Sequence, residues 1–173
     1  MKHAIKSKLT YYTTIIFITA LLFISCSKDS PSTEPQNMCL VASNTFNVDG
    51  NKLAQFATTA YAPDSLENTI TIHAYSTYGS YNKYMFLTFA GTSLPKPGTY
   101  TGSDQMVNRK LKANEVWMQY WGDMYDIRGP QSTCTVHVTE SNGRLTITFC
   151  NTVFSAVFST AKYNCNASID VLR

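Results

Sequence analysis

Apolar side chains recur at every second position along most of this chain, and that spacing belongs to strands. Ile70, Ile72 and Ala74 fall on one face, with Thr71, His73 and Tyr75 on the other. Met85, Leu87 and Phe89 share a face within Tyr84 to Ala90. Val116, Met118 and Tyr120 alternate with Trp117, Gln119 and Trp121. Phe154, Ala156 and Phe158 repeat the pattern within 152–160, and a last short strand is expected at Ala167 to Leu172. Helical spacing is hard to find; only Asp104 to Asn114 reads as either one helical turn or a loop. Asp49-Gly50 reads as a hairpin turn between a strand holding Phe46 and Val48 and a second strand running through Leu53 to Tyr61. Pro63-Asp64, Asn68 and the group Pro95, Pro97 and Gly98 punctuate the rest. About eight to ten short strands, rich in Thr, Tyr, Val and Phe, predict an all-β fold: an antiparallel β-sandwich or a small β-barrel.

One hairpin is legible to the residue. Asn142-Gly143 is a strong two-residue turn signal, so Ser141 pairs with Arg144, Val138 with Ile147, and Val136 with Phe149. That register gathers the apolar residues on one face, and a one-residue slip would turn a whole strand over. Cys134 and Cys150 then point to different faces, and bridging them directly needs a three-residue loop that spoils the match. Apart from Cys26 the chain has Cys39, Cys134, Cys150 and Cys165, an even set open to three pairings. The reading leans to Cys39–Cys165, which would tie the two ends of the domain, with free buried thiols as the alternative. The spacing lacks the close pairs of zinc sites, so no metal is expected.

The start of the chain has a different chemistry. Lys2, Lys6 and Lys8 precede an apolar run from Ile15 to Ile24 broken only by Thr19, which suits a signal-peptide core and is shorter than the ~20 residues of a spanning helix. Phe23-Ile24-Ser25-Cys26 resembles the lipobox of bacterial lipoproteins. The resemblance implies cleavage before Cys26 and a thioether-linked glyceride on its sulfur that carries acyl chains, palmitate among them. Two or more chains give stable membrane anchoring. Ser27, where an Asp would favour inner-membrane retention, points to the outer membrane, facing the periplasm or the cell surface. Ser27 to Met38 is rich in Ser, Thr and Pro and poor in apolar residues, so it reads as a tether. The expected organisation is signal peptide 1–25, lipidated cysteine and tether 26–38, and one all-β domain over 39–173.

Charge narrows the function classes. Of 14 Lys and Arg, three lie in the leader, which leaves 11 against 11 Asp and Glu. A neutral mature chain disfavours nucleic acid, whose binding rests on neutralising phosphates. Arg109-Lys110-Leu111-Lys112 is the only basic cluster and reads as a solvated loop or strand edge. Nucleophilic catalysis needs a base beside Ser or Cys. The mature chain offers only His73 and His137, both mid-strand, and no Gly-x-Ser-x-Gly elbow. Asp123 and Asp126 lie in a Gly-flanked stretch, where acids are usually solvated turn residues. The chain is therefore read as a non-enzyme without cofactors.

The aromatics, 13% of the chain, are the better lead. Tyr75, Tyr78, Tyr81 and Tyr84 recur across a Gly/Ser/Asn-rich loop, and Trp117, Tyr120, Trp121 and Tyr125 crowd a second segment. Trp117 and Trp121 share one strand face. They either fill the core between two sheets or stand exposed as a platform, with Tyr125, Tyr78 and Tyr81 as companions in ligand binding. Phe46-Asn47-Val48-Asp49-Gly50 near the start and Lys96-Pro97-Gly98-Thr99-Tyr100 in the middle resemble uncharacterised Bacteroidota lipoprotein families, which pair a Val-Asp-Gly hairpin with a Pro-Gly-Thr-Tyr turn. That resemblance implies a small anchored β-domain and carries no functional residues. The expected function is a binding module for a glycan or small ligand, with a protein-interaction or inhibitor module of the envelope as the alternative.

Overall fold

The computed structural model describes residues 40–76, 82–103, 110–122, 125–130 and 133–173. Every regular element among them is a strand: β1 (Thr45–Val48), β2 (Asn51–Gln55), β3 (Thr58–Asp64), β4 (Thr69–Ser76), β5 (Lys83–Ala90), β6 (Gly98–Ser103), β7 (Glu115–Gly122), β8 (Tyr125–Gly129), β9 (Thr135–Ser141), β10 (Arg144–Ala156) and β11 (Lys162–Leu172). They form one sheet in the order β2-β1-β11-β10-β9-β6-β7-β5-β4-β3, and β8 pairs with both β10 and β7. The sheet has eleven strands and is mixed, because β6 runs parallel to β7. The β9–β10 hairpin takes the register that face-matching requires: Ser141 opposite Arg144, Val138 opposite Ile147, Val136 opposite Phe149. Positive φ at Asn142 (52°) and Gly143 (72°), and at Asp49 (48°) and Gly50 (79°), gives both turns the twist that matches their strands.

The stretch expected as one strand from Leu53 to Tyr61 changes partner midway. Its first half, β2, pairs with β1, and its second half, β3, pairs with β4. At the join, the Phe56 amide donates to Asn44 O (2.7 Å) and the Ala57 amide to Tyr75 O (3.1 Å). β2 and β3 sit at opposite ends of the strand order, yet two residues link them. Two residues span at most about 10 Å between their neighbours, so the sheet must wrap until its ends meet. Lys83 Nζ of β5 donates across the join to Leu53 O of β2 (2.7 Å). The Asp170 amide of β11 donates to Asn44 Oδ1 (2.8 Å), which fastens the residue before β1 to the strand beside it.

Wrapping places the alternating apolar residues in one core. Ile70, Ile72, Ala74, Met85, Leu87, Phe89, Val116, Met118 and Tyr120 are all buried, as the period of two requires. Phe46 of β1 stacks on Tyr120 of β7 across the interior, with centroids 4.5 Å apart, and meets Phe149 and Phe154 edge-on at 6.5 and 6.2 Å. β1 and β7 lie five places apart in the strand order, so this contact puts opposite walls of the sheet face to face, like the two layers of a sandwich. β10 is one strand where the sequence suggests two. Between Phe149 and Thr152 it advances three residues while β11 advances two, with Asn151 at φ 50°. This bulge keeps Phe149 and Phe154 on the same inner face despite their odd spacing. Phe158 lies beyond β10 and is exposed, not on the core face.

The cysteines depart from expectation. Cys165 is a free thiol in the core, so the Cys39–Cys165 tie is not made; Cys134 is also free. Among the described residues Cys150 is the cysteine that is disulfide-bonded. Cys165 sits on β11 with its side chain turned into the interior, a direction the sequence reading did not weigh because it placed the last strand only from Ala167.

Candidate functional site

Water-facing sheet surfaces are usually polar, but the outer face of β4, β5 and β7 is not. Because Ile72, Leu87 and Met118 point inward, their neighbours must point outward. Register then aligns those neighbours in rows across the strands. One row runs Thr58, Tyr75, Tyr84, Trp121 and Asp126. The next runs Ala60, His73, Phe86, Gln119 and Arg128. A third places Thr71, Thr88 and Trp117 side by side.

Five rings of the first two rows form one connected surface. Tyr84 is its centre: 6.5 Å from Tyr75, 5.4 Å from Trp121 and 6.0 Å from Phe86, with the Phe86 ring only 11° from parallel. His73 meets Phe86 edge-on at 5.1 Å. Trp121 is 51% exposed and Tyr75 36%, while Tyr84, Phe86 and His73 are half-buried beneath them. Cross-strand aromatic pairs stabilise a sheet by about 0.2–1 kcal/mol each, so packing accounts for the buried half of these rings. It does not account for a Trp left half in water beside an exposed Tyr. Burial lowers the pKa of His73, which keeps the imidazole neutral near pH 7 and the row of rings free of charge.

Polar groups border the rings on the β8 side. Gln119 Nε2 donates to Asp126 Oδ1 at 2.9 Å. The Asp126 backbone carbonyl accepts from the Val157 amide at 2.8 Å, which pins β8 to the chain after β10. Arg128 is exposed on the same face. β8 can lie this close because Gly129 has no side chain; a Cβ there would stand 2.7 Å from Cγ of Phe154.

The residues expected to bind ligand are only partly united. Trp121 is on the platform. Trp117 is on the same outer face, half-buried, and separated from Trp121 by the row of Gln119. Neither Trp fills the core. Tyr125 is a correction. It pairs with Gly122 on the inward side of β8 and packs edge-on against Tyr163 at 5.2 Å, away from the rings. A period of two starting at Ile127 would have placed it there. Tyr78, Tyr81, Asp123, Cys26 and Cys39 lie outside the described residues. Phe86, His73, Gln119, Asp126 and Arg128 were not anticipated as companions of Trp121. The strand parity of His73 and Gln119 was readable, but the β5–β7 and β7–β8 registers that assemble the face were not.

A cleft of about 220 Å³ lies where the sheet ends meet, lined by Asn44, Phe56, Thr58, Arg144, Asp170 and Leu172. Its polar groups already satisfy one another. Asp170 accepts from Ser43 Oγ (2.5 Å), Thr146 Oγ1 (2.8 Å) and Arg144 (3.3 Å). Burial pushes the Asp170 pKa up, but these hydrogen bonds and the Arg144 charge outweigh it, and the net shift is downward. The two free thiols are poor nucleophiles: burial raises both pKa values, and the nearby Asp49 charge raises that of Cys165 further. Compared with protein-family models, curated proteins and solved structures, the chain matches none.

Proposed function

We propose that this chain is a non-catalytic binding domain of the bacterial cell envelope whose ligand is a glycan held on the outer face of β4, β5 and β7. The observation that carries the reading is the connected row of Tyr75, Tyr84 and Trp121, exposed at both ends and bordered by hydrogen-bonding side chains. A pyranose offers an apolar face of C–H groups and a rim of hydroxyls. Rings exposed on a sheet surface suit the face, and polar groups at their edge suit the rim. Successive centroid spacings of 6.5 and 5.4 Å are close to one sugar unit, so the row suits an oligosaccharide laid across the strands.

The leader supports an anchored location: lipid on Cys26 would hold the domain to the outer membrane, with residues 27–38 as the tether. Mass spectrometry of the mature chain tests this, with a diacylglyceryl-modified Cys26 at its amino terminus as the expected result.

The binding reading is tested by intrinsic fluorescence over a panel of oligosaccharides. The expected result is a saturable change in Trp emission that Trp121→Ala abolishes and Phe158→Ala leaves intact. Saturable binding that survives Trp121→Ala and Tyr84→Ala would move the site elsewhere. Capture of an envelope protein with no response to any sugar would favour the protein-interaction alternative.

A further inference from the structure

The border of the aromatic face carries more information than its rings, and it narrows the ligand class; this step rests on the glycan reading above. Stacking alone is permissive, because every sugar has an apolar face. Selection must come from the groups that meet the rim. On this surface they are contributed by two adjacent strands, β7 and β8. Trp121 stands directly across from Asp126, and Gln119 directly across from Arg128. Directly opposed residues have Cβ atoms roughly 4.5–5.5 Å apart, within one sugar unit of the Trp121 ring.

Asp126 is held in place with only one of its carboxylate oxygens engaged. Its Oδ1 accepts the Gln119 amide at 2.9 Å, which fixes the carboxylate plane. Among the described residues Oδ2 accepts no hydrogen bond. The Arg128 guanidinium likewise makes no ion pair or hydrogen bond among the described residues, although Asp126 is two positions away on the same strand face. The contrast with Asp170 and Arg144 is direct: there the carboxylate and guanidinium bond to one another and are used up. At β8 an acceptor and a donor set remain open, side by side, at the edge of the most exposed ring of the platform.

We propose that Asp126, oriented by Gln119, and Arg128 read adjacent hydroxyl groups of an uncharged sugar stacked on Trp121. A hydroxyl donates to the free carboxylate oxygen, and the next accepts from the guanidinium. Hydrogen bonds to charged groups are about twice as strong as neutral ones, so the pair discriminates where stacking cannot. The charges decide the class. One negative and one positive group sum to zero, and the rings beside them are neutral. A uronate or sulfated sugar seated on Trp121 meets Asp126 first, because Asp126 stands directly across from that ring while Arg128 stands one row further, across from Gln119; the like-charge contact disfavours it.

Calorimetric titration of the full chain with uncharged hexasaccharides (β-glucan, mannan and xylan) and with a hexa-uronate tests the assignment. Wild-type protein is expected to bind at least one uncharged oligomer, with affinity steady between low and high salt because no net charge is exchanged. Asp126→Asn, nearly isosteric, and Arg128→Gln are each expected to weaken that binding tenfold or more, with unchanged thermal unfolding, while Trp121→Ala removes it. Preference for the hexa-uronate, with salt-sensitive affinity, overturns the assignment and leaves the platform standing. So does full affinity in both Asp126→Asn and Arg128→Gln when Trp121→Ala is inactive. Binding that persists in Trp121→Ala overturns the platform itself.

Discussion

Replacing Phe46 with Ala should be among the most destabilising single changes in this domain. Phe46 is fully buried and is the one β1 ring that reaches across the interior to Tyr120. Removing the ring forfeits about 2–3 kcal/mol of transfer free energy. A residual cavity of roughly 100 Å³, at ~24 cal/mol per Å³, adds about 2 kcal/mol. The expected loss is therefore about 4–5 kcal/mol. That is a large share of the ~5–15 kcal/mol typical of a domain, and corresponds to a drop in Tm of about 10–15 °C. Urea unfolding followed by Trp fluorescence measures it, with Phe158→Ala as the control expected within ~0.5 kcal/mol of wild type because that ring is solvent-exposed. A double-mutant cycle of Phe46→Leu and Tyr120→Leu isolates the stacked pair, with an expected coupling of about 0.5–1.5 kcal/mol. A Phe46→Ala loss below about 1.5 kcal/mol, with no coupling to Tyr120, would mean that β1 and β7 do not face one another and that the sheet does not wrap.

Gly129→Ala should cost about 1–3 kcal/mol and also weaken ligand binding, since its methyl would push β8 off the Phe154 ring and carry Asp126 and Arg128 with it; thermal unfolding and titration read both effects. Asp170, with its pKa lowered in the folded state, contributes stability that is full above the ordinary carboxylate value of ~3.9 and is lost as pH falls through the lower folded value. Asp170→Asn should therefore cost about 1 kcal/mol at pH 7 and flatten the fall of Tm as pH drops below the ordinary carboxylate value, as calorimetry at stepped pH would record. Cys134 and Cys165 should resist a water-soluble thiol reagent in the native protein at pH 8 and react only on unfolding, because burial raises both pKa values.

What the sequence makes legible here is what local spacing controls. The inward sets on β4, β5 and β7 follow from a period of two, and the β9–β10 register follows from Asn142-Gly143 together with the demand that Val136, Val138, Ile147 and Phe149 share a face. Long-range choices are not written locally. Nothing between Leu53 and Tyr61 announces that the strand leaves β1 for β4 at Phe56-Ala57, because both halves are extended and only the partner changes. The bulge at Cys150-Asn151 breaks the alternation by one residue, so a strict period splits β10 in two. The parallel pairing of β6 with β7 depends on a connection whose geometry a turn signature does not set. The platform shows the same division. That Trp117 and Trp121 share a face is local; that Trp121 meets Tyr84, and through it Tyr75, on one side and Asp126 on the other is set by three cross-strand registers. Tyr125 was grouped with the tryptophans by proximity in sequence, and strand parity separates them.

The outer face of β4, β5 and β7 is the proposed ligand site. An NMR titration of isotope-labelled protein with the uncharged oligosaccharide that binds best tests it residue by residue. The account predicts that the Trp121 indole and the amides of Tyr75, Tyr84, Phe86, Gln119 and Asp126 shift together along one saturation curve, while amides of Ala167 and Ile169 in the core stay fixed. Shifts gathered instead around Asn44, Arg144 and Leu172, with Trp121 unmoved, would contradict it.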